Sequence, residues 1–188
     1  MFLDPIQFPF TKVMEANWKI IQNELHSLPK EAFMDFPEAH LYEKGWGVFS
    51  LYAFGQKLSR NCLLCPETTK LVETIPGLAT ASFSWLKAGT HIKPHVGYKD
   101  SVLRCHLGLI VPDQCMIRVG NETKSWEEGK CMVFDDTTEH EAWNHSNTDR
   151  VVLLIDFTEA GATYAAPDFI ASRIPDIMKA TQRFRPKR

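Results

Sequence analysis

The sequence lacks an apolar run of the roughly 20 residues that a membrane-spanning helix needs. Its opening residues, MFLDPIQFPF, also lack the basic start and the long apolar stretch of a secretion signal. The formal net charge is only −2 at pH 7, so no excess of positive charge attracts nucleic acid. We therefore expect neither a membrane span nor a nucleic-acid partner.

The sequence also has few cysteines at the paired spacing that is typical of zinc and redox sites. The chain has 5 cysteines, an odd number, which together with the missing signal favours a reducing, cytoplasmic location. Cys62 and Cys65 have the Cys-x-x-Cys spacing of zinc and redox sites, but the sequence contains no second such pair to complete a zinc site. A loop with two free thiols is our prediction, and a metal or redox pair is the alternative. The other cysteines are Cys105, Cys115 and Cys131.

The chain does contain enough apolar material for a core. Of its 188 residues 44% are hydrophobic, with 12 Phe and 5 Trp. A domain of this size buries roughly 70% of the surface that its unfolded chain exposes. Since we find no internal repeat and no linker, we predict a single domain over residues 1–188.

An amphipathic helix is predicted over residues 11–28. Its apolar side chains recur at spacings of four, three and four, which places them on one helix face. Thr11 is the predicted N-cap. We interpret the stripe as a surface that packs on the core, and its members are Met14, Trp18, Ile21 and Leu25.

Strand-like runs dominate the rest of the chain. One spans residues 46–54, a short helix is predicted over residues 67–75, and strands alternate with turn residues from residue 78 onward. This spacing predicts an antiparallel sandwich or barrel. Residues after 160 are predicted to form a short helical or irregular tail, whose basic end RFRPKR we interpret as a solvated terminus, with an anionic partner as the alternative. The later strand runs are ATASFSWL, VLRCHLGLIV, CMIRVG, KCMVFD and RVVLLIDF.

Two histidines are candidates for metal ligands. His95 precedes the strand run SVLRCHLGL, and His140 lies in FDDTTEHEAWN, in or beside a turn. In a double-stranded β-helix such distant segments meet at the barrel mouth, and imidazole suits iron, copper, nickel and zinc. The carboxylate of a His-x-Asp iron motif is missing, because Gly97 stands two residues after His95. Spacing alone also allows two ordinary surface or core histidines.

Two arginines interrupt apolar strands. Arg104 has Val102 and His106 as its neighbours on the same strand face, and Arg150 begins the most apolar run of the chain. Both could point outward to solvent. An inward arginine would need an anion, and a carboxylate fits the guanidinium fork. Ser84 could add a hydroxyl to such a site.

Residues from about 40 to 157 resemble the aspartyl/asparaginyl β-hydroxylase family of iron(II)- and 2-oxoglutarate-dependent dioxygenases. The resemblance rests on GTHIKPHVG, LRCHLGLIVP, GNETKSWEEGKCMVFDDTTEHEAWN and RVVLLIDF, in this order. It implies a mainly β fold, a double-stranded β-helix barrel with flanking N-terminal helices. It also implies Fe(II), 2-oxoglutarate and O2 as cofactor and cosubstrates. The membrane-anchor and helical-repeat segments of the large vertebrate enzymes are absent from this sequence.

The resemblance also assigns residues. His95 and His140 match the iron ligands, and Gly97 matches a glycine with which this family replaces the usual carboxylate ligand. Asp135 or Asp136 could compensate by holding a water or a histidine N–H, although FDD also suits a turn that ends a strand. The remaining matches concern 2-oxoglutarate: Arg150 and Ser84 at its far carboxylate, Arg104 and His106 near its oxoacid end, and Trp46 as an active-site tryptophan.

The resemblance implies hydroxylation of a substrate carbon, with succinate and CO2 as coproducts. On sequence grounds we predict action at the β-carbon of an aspartyl- or asparaginyl-like unit in a peptide, amino acid or natural-product precursor. Val48 stands where the vertebrate enzymes have a glutamine, which weakens any transfer of their substrate preference. The alternatives are a lipid-acyl hydroxylase of the same family and a non-catalytic barrel that binds a small acid or a peptide. The vacant position at Gly97 also leaves room for a halide, but in this family the glycine accompanies hydroxylation.

Overall fold

The computed structural model of the chain describes residues 1–97 and 102–158, together with Tyr164, Ser172 and Pro175. The predicted tail after residue 160 and its basic end therefore lie outside the described residues, apart from these three positions.

The N-terminal helix predicted over residues 11–28 is two helices, interrupted at Asn17. The Asn17 side chain donates to the Val13 carbonyl at 2.8 Å, a bond that competes with the continuing helix. Thr11 is not an N-cap: it lies inside the first turn, and its hydroxyl donates to the carbonyls of Pro5 and Phe8. The described helices are α1 (Phe10–Ala16), α2 (Trp18–Ser27), α3 (Ser59–Cys62) and α4 (Pro66–Val72).

The Cys-x-x-Cys segment includes the turn of residues 63–65 between α3 and α4, and both of its thiols are free, so the predicted loop with two free thiols is confirmed. Cys62 is the last residue of α3, and Cys65 directly precedes α4. Both side chains are buried in the core that the helices share with the sheet. The helix predicted over residues 67–75 is α4, which begins at Pro66 and ends before Glu73.

Twelve strands form two antiparallel sheets in the part of the chain that the structure describes. The major sheet has the order β1-β10-β7-β12-β5-β3-β2, with β4 paired to β3, and the minor sheet has the order β6-β11-β8-β9. The strands are β1 (Phe2–Leu3), β2 (Met34–Asp35), β3 (Trp46–Ala53), β4 (Gln56–Lys57), β5 (Leu78–Leu86), β6 (His91–His95), β7 (Val102–Ile110), β8 (Cys115–Val119), β9 (Glu122–Ser125), β10 (Cys131–Asp135), β11 (His140–Asn144) and β12 (Arg150–Thr158).

Six of these strands were not predicted, namely β1, β2, β4, β6, β9 and β11. Two of the six carry the histidine candidates. His95 is the last residue of β6 and His140 is the first residue of β11. Both strands are short and polar, so neither shows the apolar alternation from which strands are recognised. Pairing with neighbours in the minor sheet stabilises them instead.

The major sheet is buried on both faces, and this positions the site. Every residue of β12 is buried. In β7 and β12 the odd-numbered side chains pack in the core shared with the helices. Because side chains alternate along a strand, the even-numbered ones face the minor sheet and form the barrel interior. Arg104, His106 and Arg150 are all even-numbered and therefore point inward.

None of the helices within the described ranges is long and apolar enough to cross a membrane.

Candidate active site

The structure brings His95 and His140 together at one end of the barrel. The strands β6 and β11 are antiparallel neighbours, and the two histidines are register partners. Their ring centroids are 4.2 Å apart. The separation of the two residues along the chain is therefore bridged by one strand pairing.

Backbone carbonyls orient both imidazoles in the same way. The Nδ1 atom of His95 lies 2.7 Å from the Lys93 carbonyl, and that of His140 lies 2.9 Å from the Thr138 carbonyl. A carbonyl only accepts hydrogen bonds, so Nδ1 carries the proton and Nε2 keeps its lone pair. Burial lowers the pKa of His140 to about 3 and also lowers the pKa of His95, so both rings are neutral at neutral pH.

These two rings fit a metal ion. The His140 Nε2 atom is buried and has no hydrogen-bond partner, and a metal ligand must be a neutral imidazole with an available nitrogen. Among the residues that the structure describes, no group of three or more His, Cys, Asp or Glu side chains is arranged to hold a metal. An ion at this place would therefore have two imidazole ligands and would take its other ligands from bound small molecules.

Asp136 occupies the space beside the missing carboxylate ligand. A Cβ atom built on Gly97 would lie 1.9 Å from Asp136 Oδ2, and the Gly97 N–H donates to the Asp136 carbonyl at 2.7 Å. Asp136 Oδ1 lies 3.4 Å from His140 Nε2. Asp135 instead stabilises the turn after β10, because its Oδ1 accepts from the N–H and the hydroxyl of Thr137. The turn interpretation of FDD thus holds for Asp135, and a compensating role of Asp136 beside the histidines stays a prediction.

The Arg104 side chain points inward, and its guanidinium pairs with two aspartates of the same chain. Its Nε and Nη2 atoms donate to the two oxygens of Asp156, at 2.6 and 3.1 Å. Its Nη1 atom lies 2.7 Å from Asp136 Oδ1. The outward alternative is therefore wrong, and two aspartates neutralise the guanidinium. A role of Arg104 at the oxoacid end of 2-oxoglutarate stays a prediction.

Arg150 is buried without an anion. The residue is 1% exposed, its Nη1 atom donates to the Ser84 carbonyl at 3.3 Å, and its Nε atom has no partner. Its guanidinium carbon lies 4.6 Å from the centroid of the Trp126 ring. Among the described residues no carboxylate lies within ion-pair distance of it, so a buried positive charge faces the barrel interior. Such a charge is costly unless an anion binds beside it.

Ser84, whose carbonyl accepts from this arginine, is hydrogen-bonded to Trp46. Ser84 is buried in β5, and Trp46 Nε1 donates to its hydroxyl at 3.0 Å. The Trp46 ring stacks on Phe36, with centroids 3.7 Å apart. Their predicted contact with 2-oxoglutarate is not tested by these distances, but both side chains lie on the interior face.

His106 lies in the row of side chains between the histidine pair and Arg150. Its ring packs edge-to-face on Phe134, whose ring also contacts His140, with centroids 5.3 Å apart in each pair. The Trp126 indole N–H donates to His106 Nδ1 at 3.2 Å, while His106 Nε2 is buried and has no partner. A continuous row of side chains thus leads from the histidine pair to Arg150.

A pocket of about 110 Å³ extends from His95 along the barrel interior. Arg104, Asp136 and Asp156 form its polar end. Most of the remaining wall is apolar, and Val48 is part of it. The apolar residues that define this wall are Met34, Phe36, Val48, Phe54, Ala79 and Leu154.

Three residues of the site were not singled out from the sequence. Asp156 had a usable signal: it is a charged residue in an otherwise apolar strand, with the same parity as Arg150. Trp126 and Phe134 had none, because a tryptophan or a phenylalanine is an ordinary core residue and only the packing reveals its polar or charged neighbours.

A sequence profile described as Aspartyl/Asparaginyl beta-hydroxylase matches residues 15–160. The chain belongs to the aspartyl/asparaginyl β-hydroxylase family. The recognition made from the four sequence stretches is therefore confirmed.

Two relatives within the family illustrate its range. The chain is 41% identical over 167 residues to a Rhizobium tropici protein named ornithine lipid ester-linked acyl 2-hydroxylase, covering 83% of this chain and 59% of the relative. It is 39% identical over 154 residues to the human aspartyl/asparaginyl beta-hydroxylase, covering 77% of this chain and 20% of the human protein. The chain thus spans less than two thirds of the length of either relative.

A solved structure confirms the fold. A Pseudomonas putida prolyl-4-hydroxylase aligns with a TM-score of 0.51 at 15% identity, over 78% of this chain and 88% of that chain. The predicted mainly β architecture, with two facing antiparallel sheets and N-terminal helices, is therefore confirmed for this family member.

Proposed function

We propose that this member of the β-hydroxylase family is an Fe(II)- and 2-oxoglutarate-dependent hydroxylase. The observation that carries the proposal is Arg150, a buried guanidinium without a carboxylate partner among the described residues, in the same barrel interior as two neutral imidazoles. A metal site needs the imidazoles, and a dicarboxylate cosubstrate needs the guanidinium.

In this proposal His95 and His140 would hold iron through their Nε2 atoms. Iron bound there would supply the oxidation itself, in which O2 and 2-oxoglutarate give succinate, CO2 and one oxygen atom inserted into a substrate C–H bond. Arg150 binds the far carboxylate of 2-oxoglutarate through its guanidinium fork, and the Ser84 hydroxyl adds a hydrogen bond. Asp136 stays hydrogen-bonded beside the histidines and balances the charge of Arg104.

For the substrate we infer an acyl chain. The pocket wall that leads away from His95 is mostly apolar and therefore suits a hydrocarbon chain. The Rhizobium tropici relative, whose name describes it as an acyl 2-hydroxylase of ornithine lipid, supports the same class. The alternative of a lipid-acyl hydroxylase is thus favoured over the aspartyl unit expected from the sequence.

The aspartyl or asparaginyl unit is the second candidate, favoured by the human relative. An aspartyl carboxylate would need a free cation in the pocket. Arg104 is the only arginine among the described lining residues, and two aspartates already neutralise it. An asparaginyl side chain, which is uncharged, meets no such difficulty.

The test of catalysis is succinate formation from 2-oxoglutarate with Fe(II) and ascorbate. A hydroxylase produces succinate above the protein-free background, and a non-catalytic binding barrel does not. Mass spectrometry of an ornithine-type acyl lipid and of an aspartyl or asparaginyl peptide, each incubated separately, then identifies the substrate class by the gain of one oxygen atom. A peptide that gains oxygen while the lipid stays unchanged would overturn the acyl proposal.

Arg150→Lys tests the cosubstrate assignment. Lysine offers a point charge in place of the fork, so we expect the KM for 2-oxoglutarate to rise at least about tenfold. Arg118→Lys is the matched control, since Arg118 pairs with Glu139 and Glu141. Equal KM values for wild type and Arg150→Lys would remove Arg150 from the cosubstrate site.

A further inference from the structure

His106 and Trp126 form a buried pair whose hydrogen bond has a defined direction. The indole Nε1–H of Trp126 points at His106 Nδ1 over 3.2 Å. An indole nitrogen donates and never accepts, so Nδ1 must be the acceptor. In a neutral imidazole the only proton then lies on Nε2.

We propose that Trp126 is a positioning residue that holds His106 as an Nε2–H donor for an anionic oxygen of the cosubstrate. The role of the cosubstrate in this inference rests on the proposed function, whereas the tautomer does not. His106 thus has the opposite tautomer to His95 and His140, whose Nδ1 protons leave Nε2 free for a metal.

The surroundings of His106 Nε2 support a donor that awaits an acceptor. His106 is 7% exposed, and its Nε2 atom is buried with no hydrogen-bond partner. A buried N–H without an acceptor costs free energy, so a ligand oxygen that accepts from it gains affinity. Burial, together with the nearby charges of Arg150 and Arg104, keeps the pKa of His106 well below its usual value, so the ring is neutral and its tautomer matters.

Trp126 orients Arg150 as well. The guanidinium carbon of Arg150 lies 4.6 Å from the centroid of the Trp126 ring, and this cation–π contact restricts where the fork can point. One side chain therefore positions a hydrogen-bond donor through its N–H and a cation through its ring. A phenylalanine at position 126 would keep a ring for Arg150 but remove the donor to His106.

The first test is 15N NMR of ring-labelled histidines in the full wild-type chain, without cosubstrate. We expect the His106 proton on Nε2 and a hydrogen-bonded, unprotonated Nδ1. A proton on Nδ1 of His106 would overturn the inference, whether or not the protein makes succinate. Absence of succinate formation in wild type would instead overturn the proposed function and leave the tautomer result standing.

The second test compares Trp126→Phe with Trp85→Phe. Trp85 is the matched control because its Nε1 has no partner and its ring packs in the core beside the helices. In Trp126→Phe we expect a mixture of His106 tautomers and a rise of about tenfold in the KM for 2-oxoglutarate, with a smaller change in kcat. Trp85→Phe should alter neither. A Trp126→Phe protein with the wild-type tautomer and KM would refute the inference, and the wild-type spectrum decides it if the variant does not fold.

Discussion

At the scale of single residues, Gly97, two residues after His95, is in direct contact with Asp136. Gly97→Ala would place its Cβ 1.9 Å from Asp136 Oδ2 and 2.8 Å from the Asp136 carbonyl oxygen. Asp136 would have to move away from Arg104, which would weaken a buried ion pair. We expect a loss of roughly 2–4 kcal/mol in the free energy of unfolding by urea titration, and weaker metal binding.

Two comparisons isolate the cause of this loss. Gly47→Ala is the control, because a Cβ there would meet its nearest atom, the Met34 carbonyl oxygen, at an ordinary 3.5 Å. In an Asp136→Ala background, Gly97→Ala should cost less, since the clashing carboxylate is gone. Additive losses in the double variant would mean that the glycine is needed for another reason.

The candidate site could be predicted only in part from single residues. Motif spacing singled out His95, His140 and Arg150, since charged or metal-binding side chains stand out in apolar segments. The partner of each side chain could not be predicted. Only the register between strands shows that Arg104 lies opposite Asp156 while Arg150 has no anion opposite it among the described residues.

At the scale of elements, one carboxylate of α2 caps the N-terminus of α4. α4 has no side-chain cap of its own. Glu24, from α2, accepts hydrogen bonds from the N–H groups of Glu67 and Thr68 and from the Thr68 hydroxyl, at 2.9, 2.8 and 2.6 Å. The side chain thus caps the first turn of a helix that is distant in the sequence, where a negative charge is also favourable.

Glu24→Ala should therefore lower the free energy of unfolding by about 1–2 kcal/mol, because three donors lose their acceptor. Glu24→Gln, which keeps an acceptor oxygen, should lower it less. Glu31→Ala is the control, since Glu31 is exposed in the short turn after α2. Urea titration of the three variants measures the differences, and a Glu24→Ala protein as stable as Glu31→Ala would show that α4 needs no cap.

The helices and strands also show which elements a sequence pattern is sufficient to predict. The long apolar strands β5, β7 and β12 were predicted, because a run that is apolar on both faces is recognisable from composition. Strands β6 and β11 were missed, because their short polar segments lack the apolar pattern from which a strand is recognised. The break at Asn17 was missed because the apolar stripe continues across it, and a side-chain bond to the Val13 carbonyl decides the local structure.

At the scale of the whole molecule, helices, major sheet and minor sheet form three layers with two cores between them. The helices and the major sheet share one core, and the two sheets share the other. The 5 cysteines are distributed over both cores, and all of them are buried and have free thiols. Cys62, Cys65, Cys105 and Cys131 lie in the first core, and Cys115 lies in the second.

This distribution makes thiol reactivity a probe of whether the layers unfold together. Burial raises the pKa of Cys65 to about 12, and burial also raises the pKa of Cys62 and Cys115, so almost no thiolate is present at pH 8. We expect the native protein to resist alkylation, whereas an exposed control thiol introduced by Ser59→Cys reacts at once. In rising urea all five native thiols should become reactive over one range, as mass spectrometry of the alkylated peptides would show. Earlier labelling of Cys62 and Cys65 than of Cys115 would instead mean that the helical layer opens by itself, because those two thiols lie in the core beneath it.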